Sequence, residues 1–194
     1  MAIVVVGGSV KNVGKTALVC AVISALPEFG WTAVKVTGHD YEPSVPSAER
    51  EGSCDRTIWE ETTSGAETDT ARYLAAGARR ALLVMRQGEG VPMEEIRRAL
   101  GADRNIIFES NRIIDAIKPD LCIALVDGVM KDVKASFRRL LSVADVLVNA
   151  DDGEIAGAPP AIPRFRLKSL DCISPQMANW LREHLHTPPQ PENN

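Results

Sequence analysis

The sequence predicts a three-layer α/β fold, a mainly parallel sheet with helices on both faces. Three patterns predict it. Apolar runs such as "AIVVVG" (Ala2 to Gly7) and "LCIALVD" (121–127) lack polar alternation, as strands covered on both faces do. These runs alternate along the chain with segments of helical period, the order that builds right-handed β-α-β crossovers. A glycine-containing loop, "GSVKNVGKT" (Gly8 to Thr16), joins the first apolar run to a second one, "ALVCAVISAL" (Ala17 to Leu26).

Strands are expected at 2–7, 32–37, 81–86, 105–109, 121–127 and 145–149, with a weaker one at 163–167. Helical patterns fill 15–27, 68–78, 92–101, 110–117, 131–143 and 174–186. Gly30 closes the first helix, and Pro119 ends the one before the fifth strand. Residues 41–67 break the rhythm with a long polar connection, in which Ile58 and Trp59 are expected to dock. No linker divides the chain. A single domain is expected over 1–186, and the polar, proline-rich residues 187–194 read as a disordered tail.

With 194 residues the chain is long enough for a substantial core. It is 45% hydrophobic and 25% charged, as a soluble globular protein is. A net charge of −4 without a basic stripe argues against a nucleic-acid partner held by phosphate neutralisation. Four widely spaced cysteines with no C-x-x-C suggest a reduced, cytoplasmic protein. The first apolar run is too short to span a membrane and lacks a charged leader, so no membrane association is expected.

The loop fits G-x-x-x-x-G-K-[ST] in every position but the first, where Ser9 stands for glycine. Glycine lets the backbone turn its N–H groups toward phosphate oxygens. The following helix N-terminus adds positive potential. Lys15 is placed to reach the β- and γ-phosphates, and the Thr16 hydroxyl to ligate Mg²⁺. The expected nucleotide contacts are Gly8, Ser9, Asn12, Val13, Gly14, Lys15, Thr16 and Ala17. Lys11 reads as a solvated lysine.

A Mg²⁺–nucleotide needs carboxylates beyond the strand ends, where open parallel sheets hold their ligands. Asp40, Glu109 and Asp127 each follow an apolar run. Asp40 and Glu109 are taken, with Thr16, as metal-site residues, and with Lys15 as catalytic ones; Asp127 is the weaker candidate. Each acid has an ordinary alternative, leaving its strand for solvent or capping a helix. His39 either positions substrate or is a structural hydrogen-bonding residue. Asp69 and Arg72, at i and i+3, form a surface pair or line the mouth of the site. Asn149 and Asp152 have the spacing of the guanine-reading N-K-x-D element, with Ala150 in place of lysine. They are candidate base contacts that leave GTP and ATP both open, and they equally suit a plain turn.

Three ordered segments resemble the MobB family, P-loop proteins associated with molybdopterin-guanine dinucleotide biosynthesis. "SVKNVGKT" is similar to its "GYKNSGKT" loop. "VKVTGHD" (Val34 to Asp40) resembles its second strand ending in lysine, histidine and aspartate, and "DTARYLAAGA" (Asp69 to Ala78) its D-[ST]-x-R helix. Together they span about the first 80 residues. The family's apolar strand ending in E-G resembles "NIIFES", with Ser110 for glycine. The resemblance favours Glu109 as the Walker B-like acid. It implies a homodimer that binds Mg²⁺–GTP or Mg²⁺–ATP, hydrolyses it slowly and serves molybdenum-cofactor maturation, with a molybdopterin-related ligand as partner. The wider class includes dethiobiotin synthetase. The rival readings are therefore an ATP-dependent kinase or ligase with a small-molecule acceptor, and a nucleotide-gated scaffold without catalysis.

Overall fold

The computed structural model describes residues 1–38, 57–86, 88, 90–127, 133–149, 161–167 and 172–185. The strands are β1 (Ala2–Gly8), β2 (Thr32–Thr37), β3 (Ile58–Glu60), β4 (Arg80–Met85), β5 (Asn105–Glu109), β6 (Leu121–Val126), β7 (Val146–Asn149) and β8 (Arg164–Arg166). They form one sheet in the order β3-β4-β2-β5-β1-β6-β7-β8. All neighbours run parallel except β3, which is antiparallel to β4 at the edge.

Helices α1 (Lys15–Ala25), α2 (Asp69–Ala75), α3 (Met93–Leu100), α4 (Ala135–Leu141) and α5 (Pro175–His184) cover the sheet. Alternate residues of β1 feed different layers. Val4 and Val6 join Leu18 and Val22 of α1 and Met177 and Leu181 of α5, whereas Val5 joins Ile96 of α3 and Phe137 and Leu140 of α4. This two-sided burial is why the central strands carry no polar alternation. Each such side chain contributes about 1.5–3 kcal/mol of transfer free energy. The α/β class expected from sequence is therefore the observed one.

Local chemistry sets the boundaries. α1 stops at Ala25 because Pro27 disfavours helical geometry at Leu26, which sits at φ −129° and ψ 55°. A 3₁₀ turn over Pro27–Phe29 follows, and it is this turn, not α1 itself, that Gly30 closes at φ 56°. Thr68 caps α2 by accepting from the Ala71 N–H at 3.0 Å, and Ser174 caps α5 by accepting from the Met177 N–H at 3.1 Å.

Two expectations need correction. The segment 110–117 is not a helix; it contains a 3₁₀ turn, Ile113–Asp115. The Ser110 hydroxyl accepts from the Arg112 and Ile113 N–H groups, at 3.1 and 3.3 Å, and Pro119 blocks extension at the other end. The connection at 41–67 contributes a strand: Ile58 and Trp59 dock by pairing with Val84 and Leu83. Residues 41–56 and the expected disordered tail, 187–194, lie outside the described residues.

Candidate functional site

The site lies beyond the carboxyl ends of β1, β2 and β5. The chain leaves β1 through a loop with two left-handed residues, Asn12 at φ 62° and Gly14 at φ 102°. Asparagine tolerates that region through its short polar side chain, and glycine enters it without penalty. Ser9 turns away from the cleft. Its N–H donates to the Leu125 carbonyl at 3.0 Å, and its hydroxyl accepts from the Asp127 N–H at 3.2 Å. The steric demand falls instead on Gly8, where a Cβ would lie 2.5 Å from Val13 Cγ1 and 2.9 Å from Lys15 Cγ. Asn111 holds Gly8 from the other side, accepting from its N–H at 2.7 Å and donating to its carbonyl at 2.9 Å. Val13 is buried in the core beneath the loop.

α1 then begins differently from α2 and α5. Its N-cap is Gly14, with no side-chain cap and no acid in the first turn. The first intrahelical bond runs from Leu18 N–H to the Gly14 carbonyl at 2.9 Å, so the N–H groups of the first turn have no intrahelical partner. With the dipole behind them they form a ready anion site. Lys15 folds back over the loop and donates to the Val10 carbonyl at 3.3 Å. Burial pulls its ammonium below the ordinary lysine value; Glu109 opposes that shift, while Lys35 and Lys134 add to it. An anion in the loop would relieve this cost.

Glu109 organises the opposite wall. It is 4% exposed at the end of β5. Its Oε2 accepts from Thr16 Oγ1 at 2.7 Å and from the buried Tyr73 hydroxyl, and its Oε1 accepts from Lys35 Nζ at 3.1 Å. Lys35 stands directly opposite Glu109 in the β2–β5 register. It also donates to Asp69, one helical turn from Tyr73 on α2. Burial alone would lower the Lys35 pKa, but Glu109 and Asp69 together hold it above the usual value. Burial, then the Glu109 charge, pushes the Tyr73 phenol well above its ordinary value. Arg72 Nη1 stands 3.7 Å from Asp69 Oδ1, so this pair lines the site mouth. The cleft enclosed by these groups has a volume of about 670 Å³.

Of the sequence-expected residues, Asn12, Gly14, Lys15, Thr16, Ala17 and Glu109 meet around this cleft, and Gly8, Ser9 and Val13 support the loop from behind. Asn149 does not join them. It is buried at the end of β7, two strands from β1, and does not line the cleft. Asp127 is exposed at the end of β6, and the bond it gives the loop comes from its backbone. Asp40, His39 and Asp152 lie outside the described residues.

No family model and no curated protein matches this sequence. Among solved structures, the chain is similar to the "apo" form of LpxK from Aquifex aeolicus in complex with ATP, with a TM-score of 0.48 and 16% identity over 86% of this chain. The chain spans about half of that protein's length, 53%. No helix among the described residues is long and apolar enough to cross a membrane.

Sequence reasoning passed over Lys35, Tyr73 and Asn111. Lys35 had a signal: a lysine within "AVKVT" is costly to bury unless a carboxylate receives it. Tyr73 had a fainter one, its i+4 spacing from Asp69. Asn111 had none, because its role depends on β1 and β5 being neighbours.

A Mg²⁺ ion suits this donor set. Thr16 and Glu109 bring a hydroxyl and a carboxylate, hard oxygen ligands, to within 2.7 Å of each other beside the uncapped helix end.

Proposed function

We propose that this chain binds a nucleoside triphosphate, GTP or ATP, with Mg²⁺, and hydrolyses it slowly. The observation that carries this reading is the Thr16–Glu109 contact of 2.7 Å, next to Lys15 and the uncapped start of α1. The N–H groups of the first turn and Lys15 would hold the phosphates. Thr16 and Glu109 would hold Mg²⁺, which when bound neutralises charge developing on the terminal phosphate oxygens. From the sequence pattern, Asp40 is proposed for the same metal site and Asn149 and Asp152 for the base, which would then lie beyond the residues that line the cleft. Lys35 and Tyr73 keep Glu109 in place, so little reorganisation is left for the transition state.

The finer role is a MobB-like one in molybdenum-cofactor maturation, in a homodimeric, cytoplasmic protein. Its support is the three segments "SVKNVGKT", "VKVTGHD" and "DTARYLAAGA". A kinase or ligase reading of the dethiobiotin-synthetase type draws on a separate observation, the extension of the cleft past Lys35 to Arg72 and Arg86. The test is a calorimetric panel of ATP, GTP, ADP and GDP with and without Mg²⁺. Binding of a triphosphate that strengthens with Mg²⁺ is expected; no nucleotide binding under any condition overturns the reading. A screen for compounds that accelerate turnover then separates the adapter from the kinase, and absence of all turnover leaves the scaffold.

A further inference from the structure

The charge of the cleft exceeds what a Mg²⁺–triphosphate needs. Among the described lining residues, seven lysines and arginines face two carboxylates, Asp69 and Glu109. Both carboxylates are already engaged by Lys35. A triphosphate partly neutralised by its metal would leave much of this positive potential unanswered.

The surplus has a definite place. Under the triphosphate reading, Thr16 and Glu109 would hold the metal on the β5 side of β1, and the terminal phosphate would lie toward β5. Arg86 follows β4, three strands from β1 in the order β4-β2-β5-β1. At ~4.8 Å per strand its backbone stands about 14 Å across the sheet from β1, and a guanidinium reaching back over β2 still stands about 10 Å from β1, to the far side of the loop that would cradle the phosphates. Its backbone N–H donates to the Thr37 carbonyl at 2.9 Å. The guanidinium lies along the end of β2, where a Cβ on Gly38 would sit 3.3 Å from Nη2. Of its five N–H donors, Nη1 bonds the Gly88 carbonyl at 2.9 Å, and among the described residues it pairs with no carboxylate. Arg72, half exposed and loosely paired with Asp69, lines the same cavity.

We propose that Arg72 and Arg86 form a second anion subsite, which holds the carboxylate or phosphate of a small molecule beside the terminal phosphate of the nucleotide. The proposal rests on the triphosphate reading above and names the acceptor's chemical class: an anionic metabolite, recognised by guanidinium groups whose planar forks match either headgroup.

The experiment loads the full-length protein with Mg²⁺ and a non-hydrolysable triphosphate analogue to saturation. Inorganic phosphate and, separately, succinate are then titrated by calorimetry. At least one anion is expected to bind the loaded protein. Arg86→Met should lose at least tenfold more affinity for that anion than for the nucleotide analogue. Arg72→Gln, on an exposed position that tolerates substitution, should weaken the anion in the same direction if Arg86→Met fails to fold. Preference for phosphate over succinate assigns a phosphorylated ligand, and the reverse a carboxylate. If the analogue binds and neither anion does, the subsite is overturned while the nucleotide reading stands. Equal losses for analogue and anion also overturn it, by placing the arginines in the nucleotide site. If the analogue itself does not bind, both readings fall.

Discussion

β5 and β6 flank β1, one on each side, and both are apolar strands followed at their ends by acids, Glu109 and Asp127. In sequence they look alike; in the fold they are opposites. Glu109 is buried, with Thr16, Tyr73 and Lys35 satisfying its oxygens. Asp127 is exposed, and the loop uses its N–H. The difference comes from what stands beyond each strand. Next to β5 is β2, which brings a lysine in register, with α2 contributing Tyr73 and Asp69. Next to β6 is β7, whose register partners are apolar up to Asn149. A buried carboxylate persists where the neighbouring strand supplies a cation. An acid at a strand end becomes a site through its neighbours, not through its own position.

The contrast can be broken most forcefully at Lys35. Lys35→Met leaves Glu109 and Asp69 without their shared cation and should cost about 3–5 kcal/mol of unfolding free energy, measured by urea denaturation. The pH dependence has a definite sign. Lys35 is held above its ordinary value of 10.5, against the pull of burial, by Glu109 and Asp69. Its stabilisation is therefore fully present below pH 10.5 and lost as pH rises through the higher folded value. The margin of wild type over Lys35→Met should be constant at neutral pH and shrink in the alkaline range. A margin that shrinks on acidification from pH 9 to 7 would contradict the assigned pairing.

A smaller effect is expected from Glu109→Gln, which keeps shape and removes charge. Turnover should fall about a hundredfold, with a lesser loss of nucleotide affinity, since the group acts chiefly on the transition state. Equal losses in both would make Glu109 a ground-state contact. Asp127→Asn sharpens the comparison from the other side: steady-state turnover should stay within about twofold, as for a surface change away from the reacting groups. If it alone abolishes turnover, the Walker B-like acid lies on β6 and the roles of the two flanking strands are exchanged.

Much of this fold was legible because burial on both faces leaves a direct mark: the runs at 2–7, 105–109 and 121–127 became three adjacent central strands. β3 was missed as a strand because three residues, Ile58–Glu60, carry too little period to detect, and their order comes from pairing with β4. The helix expected at 110–117 failed because Ser110 and Asn111 are committed elsewhere, one to local N–H groups and the other to Gly8. In the site, the loop and Glu109 could be located from local pattern. Lys35, Tyr73 and Asn111 could not be assigned their partners, because strand order and helix docking decide which distant side chains meet. Ser9 shows the limit of matching a pattern letter by letter: the constraint that requires glycine sits at Gly8, one residue earlier.

The most direct test is the affinity of Mg²⁺–ATP and Mg²⁺–GTP for wild type and Lys15→Ala, measured by calorimetry, with circular dichroism confirming that the variant folds. Lys15 is the first residue of α1, and its side-chain hydrogen bond is to the Val10 carbonyl of the loop before it, so its removal should spare the fold. Loss of a charge-assisted contact to phosphate should cost about 1.5–3 kcal/mol, roughly 10- to 150-fold in affinity. A triphosphate that binds wild type and loses this much on Lys15→Ala is the predicted result; equal affinity in the two proteins would contradict a phosphate-binding role for the loop.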